Sequence, residues 1–193
     1  MSEQTDHAQP NGHGDGATLE VGSEIASRSR TICESDLMMF SALTGDWHPQ
    51  HADAVWAAES RFGERIAHGM LVLSYSLGLA QLDPTRVVAL RGFGRVAFKR
   101  PIHMGDTIRV VAKVAELKPI DPEHALADLE WRVVNQRDEL AVRARLEVVV
   151  RTSDAPSRNG AAAETPAASS AEGARDQGGP DALGDLYGER VLL

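Results

Sequence analysis

The sequence predicts an α+β fold in which one antiparallel sheet curls around a buried helix. Met70 to Leu82 is apolar on nearly every side, broken only by small residues. A helix with so little polar face must be buried all round. Four Val-rich segments of alternating pattern follow it and predict longer strands, at residues 87–98, 107–117, 125–134 and 140–150. One sheet covering the helix is the economical arrangement.

The segments before the buried helix predict short elements. Residues 18–21 and 29–33 indicate a pair of opening strands. Ser35 is a good N-cap for a helix that should stop at Gly45. Asp53 can cap a second helix through residues 55–57. These elements complete one domain, residues 18–152, within the 193-residue chain.

The two ends of the chain have a different composition. Residues 1–17 have almost nothing to bury and predict a disordered tail. Residues 153–182 are rich in Ala, Ser, Gly and Pro and predict a flexible linker. Residues 183–193 regain apolar side chains. Either a short docking segment or a frayed tail would fit them.

Charge and hydropathy exclude several classes of partner. The net charge of −8 belongs to the ends, because residues 23–151 carry 17 acids and 17 bases. A balanced domain argues against nucleic acid and membrane surfaces as partners. No apolar run approaches the roughly 18 residues of a membrane span, and the first residues do not have the pattern of a signal peptide. Cys33 is the only cysteine, so we expect a cytoplasmic protein.

An acid and an imidazole lie five positions apart in Thr44-Gly45-Asp46-Trp47-His48-Pro49-Gln50-His51. Pro49 prevents a continuous helix, so we expect both side chains on a bend. Asp46 and His51 could share and activate one water molecule, with Trp47 limiting solvent nearby. On spacing alone, a hydrogen bond that merely fixes the loop is the more common explanation.

A metal site is a weaker alternative at the same place. Four residues could supply ligands: Asp46, His48, His51 and Asp53. Their spacing does not match a helical His pair and no Cys lies nearby, so we predict neither a metal nor another cofactor.

His68-Gly69 stands at the entrance of the buried helix. A glycine there lets a substrate approach the backbone closely, and its N–H would face developing negative charge as an oxyanion donor. Close helix–sheet packing at Gly69, with His68 a core or cap residue, explains the pair equally well.

Gly92 and Gly94 indicate a bulge in a strand. The cations near them indicate a solvated strand face. Gly92-Phe93-Gly94-Arg95 lacks the third glycine of a phosphate loop, so a bulged strand is favoured. Arg95, Lys99 and Arg100 could meet phosphates at a pocket rim. The sequence favours the simpler interpretation, an exposed strand face.

Several motifs in order resemble the MaoC-like, (R)-specific enoyl-CoA hydratase family, a branch of the hot-dog fold. The resemblance covers about residues 19–150. It rests on Phe40-x-x-Leu-Thr-Gly-Asp46, x-Pro49-x-His51-x-Asp53, Phe62-Gly63, Ile66-Ala67-His68-Gly69-Met70-Leu71, Phe98-Lys99-Arg100-Pro101 and Gly105-Asp106-Thr107. Two positions depart from the family pattern. His48 replaces the usual Asn before the proline, and Gln50 replaces a branched aliphatic residue.

The resemblance implies a function and a set of roles. Asp46 and His51 would be the catalytic acid–base dyad, and Gly69 N–H would hold the thioester oxygen. His68, Trp47 and His48 are expected beside them in substrate binding. The substrate would be a trans-2-enoyl thioester of CoA or of an acyl carrier protein, bound at the interface of a homodimer. Alternatives are a hot-dog acyl-CoA thioesterase and a non-catalytic acyl-binding or accessory subunit.

Overall fold

One antiparallel sheet forms the frame of the protein. The computed structural model describes residues 19–80 and 82–152, so the predicted tail, linker and docking segment lie outside it. The strands stand in the order β1-β4-β5-β6-β3, and β2 also pairs with β4. Their bounds are β1 Glu24–Ala26, β2 Arg30–Thr31, β3 Val87–Phe98, β4 Thr107–Pro119, β5 His124–Val134 and β6 Leu140–Arg151.

The described residues form four helices, all of which stand between β2 and β3 in the chain. They are α1 Glu34–Thr44, α2 Pro49–Ala52, α3 Ala54–Glu59 and α4 Gly69–Leu79. None of the helices in the described ranges is long and apolar enough to cross a membrane.

The core lies between α4 and the sheet. Alternate residues of β4, β5 and β6 are buried, as their sequence pattern predicts. Trp131 is fully buried at the centre, and its indole N–H donates to Ser76 Oγ of α4 over 2.9 Å. Burial of this kind contributes about 25 cal/mol per Å² of apolar surface, so the sheet–helix contact holds the fold together.

The four predicted long strands are confirmed, and β2 lies within the predicted segment 29–33, but the first opening strand is not where the sequence placed it. Leu19 to Val21 is not a strand, because Gly22 turns the chain there with a φ of 92°. The first strand is Glu24–Ala26, and it pairs with β4 rather than with β2. The predicted bulge at Gly92–Arg95 is confirmed by shifts of register between β3 and β6.

The first helix begins two residues earlier than a Ser35 cap would place it. Cys33 is the N-cap, and the Asp36 carboxylate accepts its backbone N–H over 2.9 Å. The predicted stop at Gly45 is confirmed, with a φ of 78° that favours glycine. Asp53 caps α3 as predicted, since its carboxylate accepts the N–H groups of Val55 and Trp56.

The prediction that the apolar helix is buried on every side is wrong for the single chain. Met70 is 55% exposed, and Ser74 and Gly78 on the same face are exposed too. Met70, Ser74 and Gly78 follow one another at intervals of four residues, which places them in one stripe along α4. The sheet covers only the opposite face, so a single chain leaves this stripe bare.

A buried carboxylate joins β2, α1 and α4. Asp36 is 3% exposed, and its oxygens accept hydrogen bonds from Arg30 at 2.6 Å and from the Tyr75 hydroxyl at 2.8 Å. Burial alone would raise the pKa of Asp36. Hydrogen bonds from Cys33, Tyr75 and Arg30 outweigh it and lower that pKa from 3.8 to about 2.

We expect Asp36→Asn to lower the free energy of unfolding at pH 7 by about 2 kcal/mol, since one pKa unit corresponds to about 1.4 kcal/mol. A depressed pKa stabilises the fold above the unfolded value, so this contribution is lost as pH falls from about 4 to about 2. Urea unfolding at pH 7 and over that acidic range measures it.

Asp138→Asn is the matched control for Asp36→Asn. Asp138 also meets an arginine at 2.6 Å, but it is 76% exposed. An exposed ion pair of this kind contributes at most about 1 kcal/mol. Equal destabilisation by the two substitutions would contradict a special contribution from the buried carboxylate.

Candidate active site

A cavity of about 840 Å³ opens beside the N-terminal end of α4. Its walls come from α1, the loop after it, α2, the segment before α4, α4 itself and the end of β3. Lining residues that carry chemistry are Asp46, His51, His68, Gly69, Arg61, Lys99 and Arg100. Apolar side chains such as Phe40, Phe62, Val72 and Phe98 line the rest. The cavity is therefore mostly apolar with a few polar groups, as small-molecule sites usually are.

Asp46 lies on the loop between α1 and α2. One carboxylate oxygen accepts the backbone N–H of His48 at 3.2 Å, and the backbone N–H of Asp46 donates to Thr44 Oγ1 at 3.3 Å. These bonds fix the turn after Gly45 and leave the side chain exposed to the cavity. The carboxylate can therefore accept a hydrogen bond from a bound ligand or water.

His51 lies in α2, a helical turn that the sequence did not predict. Pro49 does not exclude it, because proline is tolerated in the first turn of a helix. His51 Nδ1 lies 2.7 Å from the carbonyl oxygen of Ile66. A carbonyl only accepts, so Nδ1 carries the hydrogen and Nε2 keeps its lone pair. His51 is thus prepared to act as a base through Nε2.

His68 lines the cavity with a side chain that is almost fully buried. Its Nε2 lies 3.1 Å from both Ser41 Oγ and the carbonyl oxygen of Asp46, so Nε2 donates to that carbonyl. Nδ1 has no hydrogen-bond partner in the described part of the chain. Burial lowers the pKa of His68, and the nearby His51 ring adds to this. A neutral His68 therefore supports the turn that carries Asp46.

Asp46 and His51 come together as the sequence predicted for a shared site. A carboxylate oxygen of Asp46 and one ring nitrogen each of His51 and His68 lie within 4.8 Å of one another. One water molecule can accept and donate hydrogen bonds of about 2.8 Å across a gap of this size. The pair is therefore open for a shared water and is not closed by a direct hydrogen bond.

The same three residues form a poor metal centre. The His51 and His68 rings stack with centroids 3.8 Å apart and planes 26° from parallel. Their in-plane lone pairs therefore lie in nearly parallel planes and do not meet at one ion about 2 Å from each nitrogen. The ligand set considered in the sequence, with His48 and Asp53, does not form either, because those side chains cap α2 and α3.

Gly69 begins α4 at the cavity wall. The N-cap residue, His68, makes no side-chain cap bond to the helix, so backbone N–H groups of the first turn stay free for a ligand. A Cβ built on Gly69 would lie 2.8 Å from the Phe98 ring. Only glycine leaves room for the backbone and Phe98 to stand so close.

Trp47 and His48 lie beside the cavity but outside its lining. Trp47 is 54% exposed. His48 caps α2, where its Nδ1 accepts the backbone N–H of Gln50 at 3.2 Å. His48 therefore positions the turn that carries His51. A role of Trp47 or His48 in substrate binding stays a prediction.

Two supporting residues have roles that the sequence did not indicate. Ser41 is fully buried on α1 and contacts His68. Gln50 is buried, and its amide donates to the Glu64 carbonyl at 3.1 Å, while Ile66 N–H donates to the Gln50 carbonyl at 3.3 Å. Gln50 thus joins α2 to the segment leading to Gly69. Gln50 departs from the family pattern, which drew attention to the position in the sequence but did not predict this contact.

Several known proteins resemble the chain in sequence. The (R)-specific enoyl-CoA hydratase of Aeromonas caviae is 33% identical over 135 residues, covering 69% of this chain and 96% of the relative. The 3-hydroxybutyryl-CoA dehydratase of Methylorubrum extorquens is 37% identical over 105 residues, covering 52% and 64%. Protein MaoC of Klebsiella aerogenes is 38% identical over 95 residues, and the match spans 48% of this chain but 28% of that protein.

Solved structures show the same architecture. The unliganded (R)-hydratase PhaJ1 of Pseudomonas aeruginosa superposes with a TM-score of 0.58 at 32% identity, covering 68% of this chain and 81% of that one. A Mycobacterium tuberculosis protein described as a double hot-dog fold superposes with a TM-score of 0.63 at 22% identity, over 78% and 51%. The predicted hot-dog fold is therefore confirmed. The family model described as MaoC like domain matches residues 18–130, more than half of the chain, and the protein belongs to this family of hydratases and dehydratases.

Proposed function

We propose that the protein catalyses the reversible hydration of a trans-2-enoyl thioester to a 3-hydroxyacyl thioester. The arrangement that carries this proposal is the open pair of Asp46 and His51 facing the first turn of α4. An acid–base pair supplies proton transfer, and a free N–H at Gly69 supplies stabilisation of negative charge. The names of the relatives, which include hydratases and dehydratases of CoA thioesters, support the same reaction.

The proposed reaction gives each of these groups a role. Asp46 and His51 hold a water molecule between them, and His51 Nε2 removes one of its protons. The oxygen adds to C3 of the enoyl group, and the electron pair of the C2–C3 double bond moves toward the thioester carbonyl. Gly69 N–H donates to the oxygen that becomes negative. A proton returns to C2 and completes the 3-hydroxyacyl product.

A direct assay tests the reaction. Purified protein mixed with crotonyl-CoA should lower the absorbance of the conjugated enoyl thioester, and the product should carry a hydroxyl at C3. The same mixture should release no free thiol. Thiol release without loss of the enoyl group would assign a thioesterase instead, and neither change over a panel of acyl chain lengths would contradict catalysis by the chain alone.

We also propose that the protein is a homodimer that pairs along β3. This strand is at the edge of the sheet, and unpaired edges are rarely left open. Large apolar side chains are exposed along it, namely Val88, Leu90, Phe93, Val96 and Phe98. Light scattering during gel filtration should give about twice the 20.8 kDa mass of one chain. A mass of one chain at micromolar concentration would contradict pairing.

A further inference from the structure

Three cationic side chains line the same cavity as the Asp46–His51 pair: Arg61, Lys99 and Arg100, here called the cationic rim. Among the described residues that line this cavity, Asp46 is the only carboxylate. The whole chain, in contrast, has a net charge of −8. The cavity lining therefore carries more cationic than anionic side chains, although the protein is acidic overall.

Most of this charge lacks a counter-ion within the described chain. No carboxylate of the described residues lies within 4.0 Å of the charged groups of Arg61 or Lys99. Arg100 has one carboxylate partner, Glu139, at a long 3.9 Å. Of the other arginines in the described part, half have a carboxylate within 4.0 Å, for example Arg109 with Asp138 at 2.6 Å. The rim is therefore available to an anion that enters the cavity.

The rim is held by rigid elements. The backbone N–H groups of Lys99 and Arg100 both donate to the carbonyl oxygen of Ala141 on β6, at 2.7 and 3.3 Å. The Arg61 guanidinium lies over the Phe62 ring, 5.0 Å from its centroid. These contacts fix the backbone of Lys99 and Arg100 and place the Arg61 guanidinium against Phe62. Lys99 and Arg100 are exposed, as the expectation of a solvated face has it, and they also line the cavity. Arg95, the third cation of that expectation, does not line the cavity.

We propose that the cationic rim binds the phosphate groups of a coenzyme A thioester. This inference rests on the proposed function, since the thioester is the group presented to Asp46 and His51. Guanidinium and ammonium groups recognise phosphate through charge-assisted hydrogen bonds. Several unneutralised cations suit a ligand with several phosphates. Coenzyme A carries a diphosphate and a 3′-phosphate, whereas a carrier protein presents a single phosphodiester.

Binding of coenzyme A itself tests the rim without relying on catalysis. Calorimetry compares the full-length protein with Arg61→Gln, Lys99→Gln and the double variant, using coenzyme A and pantetheine as ligands. Each single substitution should weaken coenzyme A binding about tenfold, which corresponds to about 1.4 kcal/mol. Binding of pantetheine, which lacks phosphate, should not change. Lys113→Gln is the matched control, because it removes one exposed positive charge from β4, away from the cavity.

A kinetic arm completes the test. For crotonyl-CoA the variants should raise KM about tenfold each and leave kcat within twofold. For crotonyl-pantetheine neither constant should change. Added salt should weaken coenzyme A binding to the unmodified protein, because exposed charges are screened.

The outcomes separate the rim from the reaction. Equal losses with the phosphate-free ligand, or unchanged coenzyme A affinity in the double variant, would overturn the proposed rim even if hydration is observed. If the substitutions at Arg61 and Lys99 changed the kinetics only with a crotonyl-carrier protein as substrate, the proposed rim would be overturned as well. Coenzyme A binding that depends on Arg61 and Lys99 without any hydration would support the rim while contradicting the proposed function.

Discussion

Replacing His51 by Gln should reduce kcat/KM for hydration of crotonyl-CoA by about a thousandfold. General acid–base catalysis contributes about 10² to 10⁴ in rate. His51 lines the cavity, and its Nδ1 is engaged with the Ile66 carbonyl, which leaves Nε2 as the base. Asp46→Asn should cost about a hundredfold or more, because an amide cannot carry the negative charge that orients the water. The double variant should be little worse than His51→Gln, since the two groups act on one water.

Asp121 and His124 provide a matched control for this pair. They also combine an acid and an imidazole, in direct contact at 3.0 Å, but away from the cavity, with Asp121 on the turn after β4 and His124 at the start of β5. Asn and Gln at these two positions should leave hydration within twofold. Thermal unfolding should show that all variants remain folded. Activity within tenfold of the unmodified protein in both His51→Gln and Asp46→Asn would contradict the assigned dyad.

Local sequence patterns predicted the structure where interactions between residues close in the sequence determine it. The alternation in β4 to β6 predicted their bounds to within two residues, and Gly45 and Asp53 marked helix ends through interactions within four residues. The sequence did not locate β1, because the position of that strand depends on pairing with β4 about 90 residues away. It did not reveal the bare face of α4 either, since burial of an apolar helix depends on how many chains surround it.

The residues of the candidate site also fall into those that a local motif predicts and those that it does not. The dyad and Gly69 were predicted because each belongs to a compact motif that resembles a known family. Ser41 was not, because its contact with His68 joins residues 27 positions apart and a lone serine in a helix carries no pattern. Arg61 was missed for a similar reason. The sequence places it in an ordinary stretch beside Phe62, and only the folded chain brings it to the cavity with Lys99 and Arg100.

Gly69→Ala should lower kcat by about a hundredfold while leaving the protein folded. The added Cβ would lie 2.8 to 3.0 Å from Cε1, Cζ and Cδ1 of Phe98, closer than side-chain carbons normally stand. Either the start of α4 moves, which misdirects the N–H groups, or the Phe98 ring swings aside. Loss of one oxyanion donor costs about 3 kcal/mol, which corresponds to the hundredfold decrease.

Separate measurement of kcat and KM, together with a second substitution, identifies the cause of the Gly69→Ala effect. A shift of the backbone lowers kcat, whereas a Phe98 ring displaced into the cavity raises KM. Leu at position 98 lacks Cε1 and Cζ but keeps an apolar side chain at the cavity wall, so Phe98→Leu alone should change activity only slightly. The pair Gly69→Ala with Phe98→Leu should recover most of the lost activity, because the close contact is relieved and the two effects are not additive. Full activity in Gly69→Ala alone would show that the first turn of α4 does not hold the thioester oxygen.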